Sequence, residues 1–464
     1  MPRAASSLPQ SSLVQLCLAE LDECKGFYGN AAAATRTEAL LKRVLRTRVT
    51  GTDDLIRLHE TLLFLRAYPH GDRVLRLCDE ILFGYSRRLR GLSPAELKDF
   101  EYAEVSGIAG TGLTTNFSYV FARSLSDRHA IARSKTEKRS RGDLHIDWDQ
   151  FQHTDRLAPI LAELIPEVRE DWAVGRHADW RRRYESAGGN IRWLLDRVRP
   201  EVYDLLEIPL RFELSDSEAS RSRARIPRRS IFYHDGPLLG RRDVSFAAEF
   251  ATPPIRVKRL PAARATRILG VIVDASAVRY RELYGFEYPD QARVFHADLG
   301  RGMDLFFCRV ARRWRLPHRE YCAGMYFKNG VPMGYVEVMW VKNVMEVGFN
   351  LYYTFRQGET AWLYARLLKL FRQQFGVDTF TIDPYQLGHE NEEAIESGAF
   401  WFYAKLGFRS QSIRIRNLVD REEHRIAASP SYRTPPRILR KLAEAPLIYR
   451  VESRNRLASG SIQT

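Results

Sequence analysis

The sequence predicts an α+β protein, a mostly helical N-terminal domain followed by a mixed β-sheet flanked by helices. Three observations carry this reading. Residues 1–213 hold apolar stripes of helical period behind N-capping residues. From Ile268 the pattern changes to short apolar runs separated by turn signals. From Met325 onward the predicted order is strand, hairpin, strand, strand, loop, helix, strand, loop, helix, strand.

Thr52-Asp53-Asp54 opens a helix whose Leu55, Leu58, Leu62 and Leu65 share one face, and Pro69 closes it. His59 lies on the apolar side and reads as a core histidine. Ser93-Pro94-Ala95-Glu96 joins a capping box to a proline at the first helical position, and Asn190 precedes the apolar periodicity that runs to Val198. Gly107 to Tyr119 reads as a tight turn, because it lacks both the Lys-Ser/Thr ending of a P-loop and the GxGxxG spacing. His145, Asp147 and Asp149, with His153 and Asp155 nearby, form the one metal-like grouping; on a strand the first three would share a face. One strand rarely supplies a whole site, so they are read as structural polar contacts and no metal is expected. The polar stretch of residues 214–262, interrupted by Thr252-Pro253-Pro254, marks a linker. Ile268 to Asp274 (ILGVIVD) predicts a short buried strand. Asn329-Gly330 between apolar runs predicts a hairpin, and Met345 to Tyr353 a further strand. The second domain spans 263–416, and 417–464 is an irregular tail with one short helix from Arg437.

At 464 residues the chain is too long for one ordinary core, and two or three domains are expected. Its 45% hydrophobic content is that of a globular protein, and no run reaches the roughly 20 apolar residues of a membrane helix. The start, MPRAASSLPQ, lacks the apolar stretch of a secretory signal. The cysteines, Cys17, Cys24, Cys78, Cys308 and Cys322, are scattered without a CxxC pair, which suits a reducing interior. These features place the protein in the cytoplasm. The net charge of +15 comes from an excess of arginine, which reports a GC-rich genome more than a partner. The basic runs Arg133 to Arg141, Arg221 to Arg229 and Arg309 to Arg319 read first as solvated faces and linkers, and nucleic acid is the less favoured partner.

The joint between strand and helix carries the chemistry. A strand ending at Tyr353 leads into a polar turn with Arg356 and Gly358, and a long amphipathic helix starts near Thr360. Such a turn aims free N–H groups outward at the positive end of a helix dipole and suits a pyrophosphate. Arg356 adds charge, and Gly358 permits close approach. The next strand, Thr379 to Ile382, ends at Asp383-Pro384. Residues from about 320 to 410 resemble the core of the GNAT superfamily of acyl-CoA-dependent N-acyltransferases. The family's pyrophosphate signature, (Gln/Arg)-x-x-Gly-x-(Gly/Ala), falls on Arg356-Gln357-Gly358-Glu359-Thr360-Ala361. Its later signature, Asn-x-x-Ala-x-x-x-Tyr-x-Lys-x-Gly-Phe, falls on Glu396 to Phe408, with Ala399, Tyr403, Lys405, Gly407 and Phe408 in place. Glu359 stands at the central glycine position, and Glu396 replaces the asparagine, whose contact Asn391 could supply.

The resemblance implies acetyl-CoA or another acyl-CoA as cofactor and an unidentified primary amine as acceptor. It implies a cofactor site made by Tyr352, Tyr353, Arg356, Gln357, Gly358, Glu359, Thr360, Ala361 and Asn391. The pantetheine arm would pair as an added strand in a gap between Met345–Tyr353 and Thr379–Asp383. A carboxylate acting through water is the expected base; Glu337, Glu346 and Asp383 are candidates, with Glu346 favoured. A backbone N–H near Asn350 to Tyr352 would polarise the thioester carbonyl, and Tyr403 would protonate the leaving thiolate. Packing is the alternative role for Tyr403. In its helix, Ala399, Phe402, Tyr403 and Leu406 face the sheet, Phe400 and Trp401 face elsewhere, and Gly407 forms a left-handed cap. Two other readings stand beside this one: a non-catalytic acyl-CoA-binding or scaffolding module, and a nucleic-acid-associated basic protein.

Overall fold

Four helices open the chain in the computed structural model, which describes residues 10–129, 143–151, 182, 184–186, 188–215, 217–429 and 431–451. They are α1 (Gln10–Cys24), α2 (Ala31–Arg46), α3 (Thr52–Ala67) and α4 (Asp72–Phe83). Asn30 caps α2 by accepting from the N–H groups of Ala32 and Ala33. In α4 the buried residues Val74, Cys78, Ile81 and Leu82 keep helical spacing, so one stripe faces inward. Helix α3 differs, because Thr61 to Ala67 are all buried. It is the central helix of the layer, enclosed by its neighbours on one side and the main sheet on the other.

Two sheets follow. Strands β1 (Gly112–Thr115), β2 (Asp143–Ile146) and β3 (Leu210–Glu213) form a small antiparallel sheet in the order β1-β3-β2. The main sheet contains β4 (Val257–Arg259), β5 (Pro289–Gly300), β6 (Met303–Val310), β7 (Glu320–Lys328), β8 (Val331–Val341), β9 (Val344–Leu351), β10 (Thr379–Ile382), β11 (Arg409–Ser410) and β12 (Leu447–Arg450). Their order is β11-β12-β10-β9-β8-β7-β6-β5-β4, and of the described neighbours only β9 and β10 run parallel. The Asn329-Gly330 turn joins β7 to β8 with positive φ at both residues (50° and 84°), as a type I′ hairpin requires.

Alternation along the central strands divides two cores. Tyr321, Ala323, Met325 and Phe327 face a cluster with Ile268, Leu269 and Ile272 of helix α5 (Ala262–Ala277). Cys322, Tyr326, Val336 and Val338 face the other way, toward the N-terminal helices and helix α6 (Thr360–Phe375). Burial of Leu363, Leu367, Leu368, Leu370 and Phe371 seats α6, at about 1.5–3 kcal/mol per side chain. A third cluster surrounds the small sheet and includes Val273 and Ala277 of α5, so one helix serves two cores.

Several expectations need correction. Ile268–Asp274 is the middle of α5 and no strand: Ala265, Ile268, Leu269, Ile272 and Val273 keep a helical stripe over sixteen residues, a length no short strand has. The supposed tail is structured to Val451. A helix spans Ile413–Ala428, another Pro436–Leu442, and β12 inserts between β10 and β11. The charged sequence of the first helix hid its sparse buried stripe, Ile415, Val419 and Glu422. Within the stretch 214–262, read as a linker, Ala219, Ser220, Arg221 and Ser222 are buried, while most of the residues from Arg228 to Arg259 are half-buried or exposed. Arg221, Arg225 and Arg228 of the basic run are paired with Glu60, Asp79 and Asp304. The stretch Gly107 to Tyr119 turns at Gly107 and Gly110, both at positive φ, and then forms β1. His145 lies in β2 while Asp149 lies in the next helix, so they share no strand face; His153 and Asp155 lie outside the described residues. His59 is buried, as its helix position implied, and its Nε2 lies 2.9 Å from the Ser222 hydroxyl.

Candidate functional site

The parallel pair β9–β10 is short. Its last register pair is Thr381 with Glu346. Strand β9 continues to Leu351, while β10 stops at Ile382 because Pro384 offers no N–H and Asp383 turns to cap the following helix, accepting from Tyr385 N at 2.8 Å. The strands therefore part, and the outer edge of β9 beyond Val347 has no strand beside it. Gln386 reaches in and accepts the Phe349 N–H at 3.2 Å. A cavity of about 610 Å³ opens at this divergence.

Its walls bring together residues named from the sequence: Glu337, Glu346, Asn350, Arg356, Thr360, Asp383, Asn391 and Tyr403. Helix α7 (Ala399–Lys405) positions Tyr403. It ends in a Schellman motif, with Phe408 N donating to Tyr403 O at 3.2 Å and Gly407 N to Ala404 O at 3.1 Å, and Gly407 at φ 100°. The buried residues of α7 are Phe400, Tyr403 and Ala404. Phe400 is buried, Phe402 lines the cavity, and Trp401 donates to Thr434 Oγ1 at 3.0 Å. The Tyr403 ring stacks edge-on against Tyr364 at 5.5 Å. Burial alone pushes its phenol above the ordinary range.

Two carboxylates of the cavity, Glu346 and Glu337, hold their protons more tightly than usual. Burial raises Glu346, the charge of Asp383 raises it further, and Arg319 opposes both. Burial also raises Glu337, which accepts a hydrogen bond from the Tyr321 hydroxyl. At the rim, Arg356 pairs with Glu393 at 2.5 Å, and no side chain caps the first turn of α6.

The other named residues lie elsewhere. Tyr352 is buried against Arg279, whose guanidinium lies 3.9 Å over its ring. Tyr353 and Gln357 are exposed, and Ala361 is buried in the first turn of α6. Gly358 permits close approach, but of a side chain: a Cβ there would lie 2.5 Å from the Tyr68 hydroxyl of α3. Glu359 turns away from the cavity into a buried charge cluster. Its carboxylate meets Arg301 at 2.6 Å and Lys328 at 3.5 Å and accepts the Leu239 N–H at 3.2 Å. These partners hold Glu359 below the ordinary carboxylate range against its own burial. Asn391 caps a short helix, accepting from Ala394 N at 3.1 Å, while Glu396 is exposed.

Tyr321, Tyr335, Met339, Tyr385 and Gln386 also line the cavity and escaped sequence reading. Tyr335, Glu337 and Met339 do show a signal, since they occupy alternate positions on β8. No comparable signal marks Gln386, which arrives through the path of the loop after β10. Among the described residues no group could hold a metal ion, and no helix is long and apolar enough to cross a membrane. No protein-family model, curated protein or solved structure matches the chain.

Proposed function

We propose that this cleft is the site of an acyl-CoA-dependent N-acyltransferase acting on a primary amine. The observation that carries the reading is the meeting of Tyr403 and Glu346 in one cavity, at the point where the only parallel strand pair described comes apart. The unpaired edge of β9 suits an extended, amide-bearing arm. Gln386 then acts as a placeholder whose bond to Phe349 N–H the arm replaces.

Each group has a chemical role. Arg356, beside the uncapped N-terminus of α6, attracts phosphate in competition with Glu393. Glu359, the carboxylate that departs from the family pattern, is neutralised inside the protein and puts no negative charge in the phosphate's path. Glu346, with its raised pKa, takes a proton from the ammonium of the acceptor through water. The amine attacks the thioester carbonyl and forms the C–N bond, the C–S bond breaks, the Tyr403 hydroxyl gives its proton to the departing thiolate, and the proton shed by the new amide nitrogen returns to the Tyr403 oxygen. Burial holds the proton on Tyr403 until the thiolate forms.

The test is mass spectrometry of small molecules copurifying with the protein, followed by thiol release from acetyl-CoA across a panel of amines. Bound CoA or acyl-CoA together with thiol release supports the reading. Bound cofactor without release for any amine points to a binding module, and neither result leaves the reading standing if both are negative.

A further inference from the structure

Behind the strand end, where β9 turns toward Arg356, lies a second cluster that the acyl-transfer scheme does not use. Arg279 is 7% exposed and follows α5. Its one side-chain hydrogen bond to a described residue runs from Nη1 to Ala275 O at 2.9 Å, and its guanidinium is stacked on Tyr352. No carboxylate forms an ion pair with it among the described residues.

The nearest carboxylate is already committed. Arg221, also buried, donates from Nη2 to Glu60 at 2.6 Å and to Thr354 Oγ1 at 3.1 Å. Glu60 also accepts from the Thr354 hydroxyl and meets His59 Nδ1 at 3.3 Å. His59 contributes no positive charge near neutral pH, because burial lowers it to about 4. Burial and the charge of Arg221 lower Arg279 only to about 10, so it stays charged. Two guanidinium groups thus share one carboxylate, and the network carries a net positive charge. Uncompensated buried charge is costly, and a second deficit sits beside it. The Tyr352 hydroxyl and Arg221 Nε are buried without hydrogen-bond partners, so donors outnumber acceptors here.

The cluster adjoins the cleft. The rings of Tyr352 and Tyr335 are 6.4 Å apart, and Tyr335 forms part of the cavity wall. Arg281, which is exposed, acts electrostatically on both tyrosines. Positive charge and free donors are therefore concentrated next to one end of the cavity.

We propose that Arg279 and the Tyr352 hydroxyl form an anion-binding site that takes a carboxylate or phosphate group of a ligand lying in the cleft. The planar fork of Arg279 can hold two oxygens at once, and the phenol supplies a further donor. Only the source of the anion rests on the acyltransferase reading: it is either the carboxylate of the acceptor or a phosphate of the cofactor.

Acetate and inorganic phosphate, titrated in chloride-free buffer, are the minimal probes. Thermal unfolding and calorimetry would be run on the full chain, on Arg279→Gln and on Tyr352→Phe. The wild-type midpoint should rise with at least one anion. Arg279→Gln should lose that response yet unfold no earlier than wild type in its absence, because an uncompensated charge has gone. Tyr352→Phe, a smaller change, should bind on the order of tenfold more weakly. Wild-type protein that responds to neither anion, or an Arg279→Gln variant that responds like wild type, overturns the site.

Thiol release with glycine against glycinamide, and CoA affinity, then separate the two sources. Collapse of the glycine preference in Arg279→Gln assigns the anion to the acceptor. Loss of CoA affinity with that ratio unchanged assigns it to the cofactor. An anion response in a protein that acylates no amine removes the acyltransferase reading and leaves the anion site in place.

Discussion

The cleft at β9–β10 and the charge cluster around Glu359 are built from the same side-chain chemistry and behave in opposite ways. In the cleft, Glu346 is surrounded by partial burial and the like charge of Asp383, with Arg319 as its opposing cation, and it holds its proton more tightly than an ordinary carboxylate. In the cluster, Glu359 is completely buried but is met by Arg301, Lys328 and a backbone N–H, and its proton is lost more easily. Burial pushes both carboxylates upward, and the cations and donors facing each one decide the net direction. Under the proposed function, one environment suits a group to proton transfer, and the other turns it into a fastener between the hairpin and the start of α6.

The largest expected effect breaks the fastener. Glu359→Ala leaves Lys328 and Arg301 without their carboxylate and should cost about 3–5 kcal/mol, seen as a lower urea midpoint. A variant of wild-type stability that has lost only cofactor affinity would return Glu359 to the phosphate path. Next come the cleft residues. Tyr403→Phe and Glu346→Gln should each reduce thiol release on the order of 10²-fold while moving stability by no more than about 0.5 kcal/mol. The acidic limb of the kcat/KM profile should lie above the ordinary glutamate range, since Glu346 must be deprotonated to act, and it should vanish in Glu346→Gln.

Stability against pH sharpens the contrast further. Burial holds Lys328 down to about 7 in the folded chain, against 10.5 for the free side chain. Between those values the unfolded chain binds a proton that the native protein does not. Stability should therefore rise with pH across that window, by up to about 1.4 kcal/mol per pH unit. Lys328→Met should flatten the rise in a series of denaturant melts; an unchanged slope would show that Lys328 is not its source. The smallest effect belongs to Asn391. As a helix cap its replacement by Ala should cost about 1 kcal/mol, with turnover nearly unchanged. A large drop in turnover would instead make it a ligand contact.

Much of this was legible in local patterns. The hairpin at Asn329-Gly330, the strand Thr379–Ile382, the helix from Thr360 and the cap at Gly407 all rest on signals a few residues long. The end of β10 was legible too, because Asp383-Pro384 must end a strand, whereas the gap beside β9 was expected only from the resemblance. Other features left no such mark. ILGVIVD suits a strand and a buried helix equally when read alone, and only its continuation into a sixteen-residue stripe separates them. Glu359 sits inside a stretch that resembles a phosphate-binding signature, yet its direction depends on Lys328, Arg301 and Leu239, all distant in sequence.

The amino-acid sequence by itself determined the two-part α+β order, the turn and cap positions, and a set of residues that proved to share one cavity. The order, turns and caps follow from backbone preferences and apolar periodicity, which act over a few neighbours, while the cavity residues were picked out mainly by the resemblance. Tertiary structure alone decided that β12 enters the sheet beside β10, that Gln386 occupies the free edge of β9, and that Arg279 is left without a carboxylate. Such outcomes depend on which charges and strand edges meet across tens to more than a hundred residues, and no local pattern encodes that meeting.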